Sequence, residues 1–133
     1  MYVCPMCAEN SQNHSFERID NNEEIAVFYS CPGKALKYKD NEGIVEHIDG
    51  TLRELDGKPW KWMIDGNGFT IKHALQVNLA INIIRLCANQ YSTTLKQIII
   101  INPSRYVHTI ISVIWPLLSE HLQSIVVIQN NVV

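Results

Sequence analysis

The sequence predicts an α/β domain: a mainly parallel or mixed β-sheet with packed crossover helices in the order β-α-β-α-β-α-β, preceded by a small irregular N-terminal extension. Three observations carry this. Short β-rich runs, "IAVFYS", "WKWMID", "KQIIII" and "SIVVIQ", alternate with segments of helical period. The gaps between them are long enough for crossover helices. A chain of 133 residues suits one compact domain plus a small appendage.

Taken in order, residues 1–22 are polar and lack a sustained apolar period, so they form an extension that needs something to hold it down. The α/β domain is expected over residues 23–133. "IAVFYS" is a strand ended by Cys31-Pro32-Gly33. In "GIVEHIDGTLREL", Ile44, Val45, Ile48, Leu52 and Leu55 recur at helical spacing and mark an amphipathic helix. "WKWMID" is a strand closed by Asp65-Gly66-Asn67-Gly68. "TIKHALQVNLAINIIRLCANQ" reads as one long helix, apolar over more than half its circumference. "KQIIII" is a strand whose continuous apolar run is what burial on both faces requires, and Pro103 stops it. "RYVHTIISVIWPLLSEHL" is a helix kinked or restarted at Pro116, because proline has no N–H for the preceding turn. "SIVVIQ" is the last strand.

Charge and length exclude several classes. With 11 basic and 13 acidic side chains the net charge is -2, so no broad field favours nucleic acid or an anionic membrane. The N-terminus has no basic region leading into an apolar stretch, and no apolar window spans about 20 residues. The expectation is a cytoplasmic protein, in which four cysteines stay reduced or bind metal.

Three chemistries compete for the Asp-Gly-Asn-Gly corner. A phosphate loop needs a third glycine at the right spacing or a Gly-Lys-Ser/Thr ending, and neither is present. Asp65 as a catalytic acid at a strand end would need His47, His73 or His108 as partner. The remaining reading, a turn in which Asp65 bonds nearby N–H groups while glycines take up positive φ, asks least of the rest of the chain.

Read together, Trp62 to Asp65 and Gly68, the long apolar helix, Tyr91, Leu95, Asn102, Pro103, Pro116 and Leu118 resemble the core of the CRAL-TRIO family of lipid-binding domains over roughly residues 24–128. Matching positions are Asp65, Gly68, Tyr91, Leu95, Asn102, Pro116 and Leu118. Ser92 replaces a usual proline, Pro103 follows Asn102 directly, and Ser124 stands where a lysine is usual. The resemblance implies the family's α/β fold and an apolar ligand. The segment that gates the family's pocket has no counterpart after Ile128, which leads to an expectation of weak or partial lipid binding.

The cysteine and histidine spacing is a separate signal: Cys4-x2-Cys7-x6-His14-x16-Cys31. Two thiolates two residues apart reach one ion from a tight turn, and sulfur with one imidazole suits a structural tetrahedral zinc. His47 or a water is the alternative to His14. Redox chemistry, a disulfide and unbonded thiols compete with zinc. Cys87, inside an apolar helix, reads as a core residue.

The other candidates are bland. Lys34, Lys37 and Lys39 read as a solvated face, and Trp60, Trp62 and Trp115 as core more than pocket lining. There is no defensible Ser-His-Asp set and no basic-aromatic interleaving. The function expected is therefore a non-enzymatic binding module with a structural zinc. It binds lipid weakly or serves as a protein-interaction subunit, as a homodimer or docked on a partner. The alternatives are a true lipid-transfer protein with a complete pocket, and a small hydrolase using Asp65 and a histidine.

Overall fold

Four strands of the computed structural model run parallel and lie side by side in chain order, each joined to the next by helix. They are β2 (Ala26–Ser30), β3 (Trp60–Asp65), β4 (Leu95–Ile101) and β5 (Val126–Gln129), and β1 (Glu17–Arg18) adds an antiparallel edge beside β2. The structure describes residues 1–21 and 24–129. The boundary expected at residues 22 and 23, and the terminal Asn130-Asn131-Val132-Val133, lie outside the described residues.

Every parallel crossover steps in the same direction, so right-handed connections put all the crossover helices on one face. These are α2 (Asn41–Arg53), α3 (Ile71–Ala74), α4 (Val77–Gln90), α5 (Arg105–Ile114) and α6 (Glu120–Ile125), with α1 (Pro5–Glu9) in the N-terminal segment. Strand alternation then divides the side chains. Ala26, Phe28, Ser30, Trp60, Trp62, Leu95 and Ile100 are buried toward the helices, while Val27, Tyr29, Met63, Ile99 and Ile101 on the other face are only half-buried. This corrects the expectation of two-faced burial for "KQIIII": a one-sided helical layer leaves alternate isoleucines partly open.

The long helix expected from Thr70 to Gln90 is two helices with Leu75 and Gln76 between them. The reason lies in packing. Ala74 is buried with Phe69, Ile100 and Val107, whereas Leu79 is buried in the larger core with Trp60, Leu52 and Ile48. In one continuous helix, residues five apart point about 140° from each other. Breaking the helix lets each residue reach its own cluster. A capping box, with Thr70 N–H donating to His73 Nδ1 at 2.9 Å, starts α3 and leaves Leu75 exposed. The restart at Pro116 occurs as expected: α5 runs into a 3₁₀ turn at Trp115–Leu117, and α6 begins after the Ser119 cap, whose hydroxyl accepts from Leu122 N–H.

The N-terminal segment is held by more than one means. Phe16 is buried and stacks on Phe28 at 4.7 Å, with Trp62 edge-on at 5.3 Å. Such aromatic pairs add roughly 0.5–1.5 kcal/mol beyond their area. Leu36 N–H donates to Gln12 O, Lys37 N–H to Asn13 O, and Cys31 N–H to the Ser15 hydroxyl.

Candidate functional site

Beneath α2, α4 and α5 the sheet leaves an apolar cavity of about 200 Å³. Its walls come from every layer: Ile44 and Ile48 of α2, Trp62 and Ile98 of the sheet, Ala80, Ile83, Ile84 and Cys87 of α4, and Ile110 and Ile111 of α5. This accounts for the broad apolar circumference of α4, since Leu79 serves the core while its neighbours face the cavity. The polar atoms at the wall are largely occupied, because Trp62 Nε1–H donates to the Ser30 hydroxyl at 2.9 Å. Burial pushes the Tyr38 hydroxyl up to about 12, so this lining group stays neutral at physiological pH. Of the three tryptophans, Trp60 is core alone, Trp62 is core and lines the cavity, and Trp115 lines the cavity. Lys34, Lys37 and Lys39 are exposed.

The Asp65 corner closes one end of β3. Asp65 is buried and accepts three hydrogen bonds: from the Tyr29 hydroxyl at 2.6 Å, Asn67 N–H at 3.0 Å and the Asn102 amide at 3.2 Å. Burial pushes its carboxyl up, but these donors more than offset that and hold it below its usual range. None of the three donors is a histidine. Asn102 adopts φ 47 to reach Asp65, and Gly68 has φ 75. A Cβ at Gly66 would stand 2.4 Å from Asn102 O. The corner is thus a junction at which β2, β3 and β4 are tied together.

The Cys/His group forms where the N-terminal segment meets α2. Cys4 is the N-cap of α1 and Cys7 sits one turn into it. His14 follows on the loop, and His47 comes from α2. One ligand atom from each of these four residues lies within 4.8 Å of all the others, close enough to hold a metal ion. Both histidines turn Nδ1 inward and Nε2 outward. His14 Nε2–H donates to Asp40 Oδ2 at 2.9 Å, and His47 Nε2–H to Phe16 O at 3.0 Å. Asp40 also caps α2 by accepting from Gly43 N–H at 3.2 Å. Burial lowers the basicity of His47 despite its bond to Phe16 O.

Three of the four residues expected from the spacing, Cys4, Cys7 and His14, are in this group, and Cys31 is not. The Cys31 thiol instead donates to Asn67 O at 3.4 Å, and burial together with the Asp65 charge pushes it up. Cys31 lies just past β2, lining the same hollow as Cys7, His14 and His47, but its thiol is turned to Asn67 O. His47 takes the fourth place, a residue the sequence had offered only as a substitute for His14. Cys87 is buried in the main core as expected.

A search of curated proteins finds no match. The crystal structure of Sfh5 superposes with a TM-score of 0.71 at 14% identity, covering 91% of this chain and 50% of that one. This chain therefore spans about half the length of that protein, and at such identity the likeness shows the fold. No helix among the described residues is long and apolar enough to cross a membrane. The CRAL/TRIO domain profile matches residues 40–132, from the α2 cap through the last strand, and takes in the helices and strands that wall the cavity. The chain belongs to the CRAL/TRIO domain family.

Proposed function

We propose that this chain is a non-enzymatic lipid-binding module that holds its ligand weakly or in part. The observation that carries this is the apolar cavity walled by α2, α4, α5 and the sheet. At about 200 Å³ it falls below the range of roughly 300–1,000 Å³ usual for small-molecule sites, so it suits part of one acyl chain better than a whole phospholipid. Each methylene left in water forfeits about 0.8 kcal/mol, which keeps affinity low. Titration with a fluorescent fatty acid, alongside organic extraction and mass spectrometry of the purified protein, tests the reading. Weak, saturable probe binding with little co-purified lipid is expected. One tightly held phospholipid per chain would instead favour a complete transfer protein.

A second reading, assembly with a second copy or another protein, rests on the sheet face that the helices leave open. Tyr29, Met63, Ile99 and Val127 pair in register across four strands and form one row there. Val127 and Ile128 are exposed on β5, which lies at one edge of the sheet among the described residues. In both readings the Cys/His group holds a structural metal ion, and the free thiols fit a reducing, cytoplasmic setting.

A further inference from the structure

We propose that Cys4, Cys7, His14 and His47 are the complete ligand set of one tetrahedral zinc ion, which fastens the N-terminal segment to α2. This deepens the reading of the group as a structural metal site and does not depend on lipid. Three features point to it.

The first is the spacing. With Zn–N about 2.05 Å and Zn–S about 2.3 Å, a tetrahedron has edges of about 3.3 Å between two nitrogens and about 3.5 Å between nitrogen and sulfur. The observed separations are 3.3 Å from His14 Nδ1 to His47 Nδ1, 3.3 Å from Cys4 Sγ to His14 Nδ1, and 3.5 Å from Cys7 Sγ to His47 Nδ1. Three of the six edges thus match a tetrahedral shell, and all four ligand atoms lie within 4.8 Å of one another.

The second is the tautomers. Asp40 Oδ2 and Phe16 O can only accept, so each imidazole must carry its proton on Nε2. The two Nδ1 atoms so placed face each other across 3.3 Å, and each also has one cysteine sulfur within reach, so all four donor atoms converge on one point. A cation there, with thiolates from Cys4 and Cys7, turns four converging lone pairs into four bonds. Imidazoles oriented by a carboxylate and a backbone carbonyl are also the usual outer support of metal-bound histidine.

The third is Tyr2. Its hydroxyl is buried with no hydrogen-bond partner among the described residues, and Cys4 lies beside it. A metal-bound thiolate at Cys4 would accept a hydrogen bond from it. Two sulfurs and two nitrogens in a tetrahedron suit zinc, and four protein ligands leave no open position for substrate, so the ion is structural.

Zinc analysis of the intact chain, then cobalt(II) substitution followed by visible and near-ultraviolet absorption, tests this in wild type and in Cys31→Ser, His47→Ala and Asp40→Asn. About one zinc per chain is expected, with a tetrahedral cobalt spectrum whose thiolate charge-transfer intensity matches two sulfurs. Cys31→Ser should leave both unchanged, and His47→Ala should lose the metal. Asp40→Asn keeps the ligands, so it should retain the spectrum while weakening metal affinity roughly 10- to 100-fold, a check that stands even if His47→Ala folds poorly. Metal that is kept in His47→Ala but lost in Cys31→Ser would overturn this ligand set while sparing the structural-metal reading. A wild type that binds neither zinc nor cobalt stoichiometrically would overturn both.

Discussion

The Tyr29 hydroxyl donates to Asp65 Oδ2 at 2.6 Å and joins the last residues of β2 to the end of β3 on the sheet face away from the helices. It raises the tyrosine's pKa and is the largest of the contacts that lower that of Asp65. Tyr29→Phe is expected to cost about 1.5–3 kcal/mol, the usual worth of a bond to a charged group, as measured by urea unfolding at neutral pH. The sign of the pH dependence follows from the depressed carboxyl. Its contribution is present above the unfolded value near 3.8 and is lost as pH falls through the lower folded value. In Tyr29→Phe that acid loss should shrink; an unchanged acid profile would mean the bond contributes nothing.

His73 links α3 to pH at a higher range. Its Nδ1 accepts from Thr70 N–H, and burial with the nearby Lys72 lowers its pKa below 6.5. The stability it contributes is present above 6.5 and is lost as pH falls through its lower folded value, because a protonated Nδ1 can no longer accept. His73→Gln keeps a capping side chain without the titration. Unfolding midpoints between neutral and mildly acidic pH should fall less in the variant than in wild type.

Gly66 is fixed by contact. Because an added Cβ would stand 2.4 Å from Asn102 O, Gly66→Ala must push two backbone segments apart. A loss of about 1–3 kcal/mol is expected, within the range for overpacking. Thermal unfolding reads it, and an unshifted Tm would show that the corner yields freely.

Ala80 faces the cavity from α4, and a larger side chain there occupies space otherwise open to ligand. Ala80→Leu should exclude about two methylenes of an acyl probe, or ~1.6 kcal/mol, weakening binding about tenfold. Fluorescent fatty-acid titration checks this. Equal affinity in the two proteins would place the probe elsewhere.

Assembly through the open sheet face predicts that Met63→Lys or Ile99→Lys, in the row that pairs with Tyr29 and Val127, lowers the mass seen by light scattering on a size-exclusion column. A monomer in wild type at high concentration would remove the homodimer.

What the sequence alone determined is what depends on near neighbours in the chain. The β-rich runs "IAVFYS" and "WKWMID" with their closing turns, the helical period in "GIVEHIDGTLREL" and the stop at Pro116 are local properties, and they yielded the α/β order. The Asp65 turn was legible because its carboxylate bonds Asn67 N–H two residues on. Cys4 and Cys7 were legible as a pair because one turn separates them. Packing decided the rest. Nothing local reveals that α3 and α4 serve different clusters, or that α4's extra apolar residues face a cavity. His47 lies 33 residues beyond His14 and meets it only because Phe16 seats the N-terminal segment against the sheet beside α2. Cys31 had the right spacing, but beyond the end of β2 its thiol is taken up by Asn67 O of the Asp65 corner. Contour length tells which residues can meet; the faces they occupy decide which do.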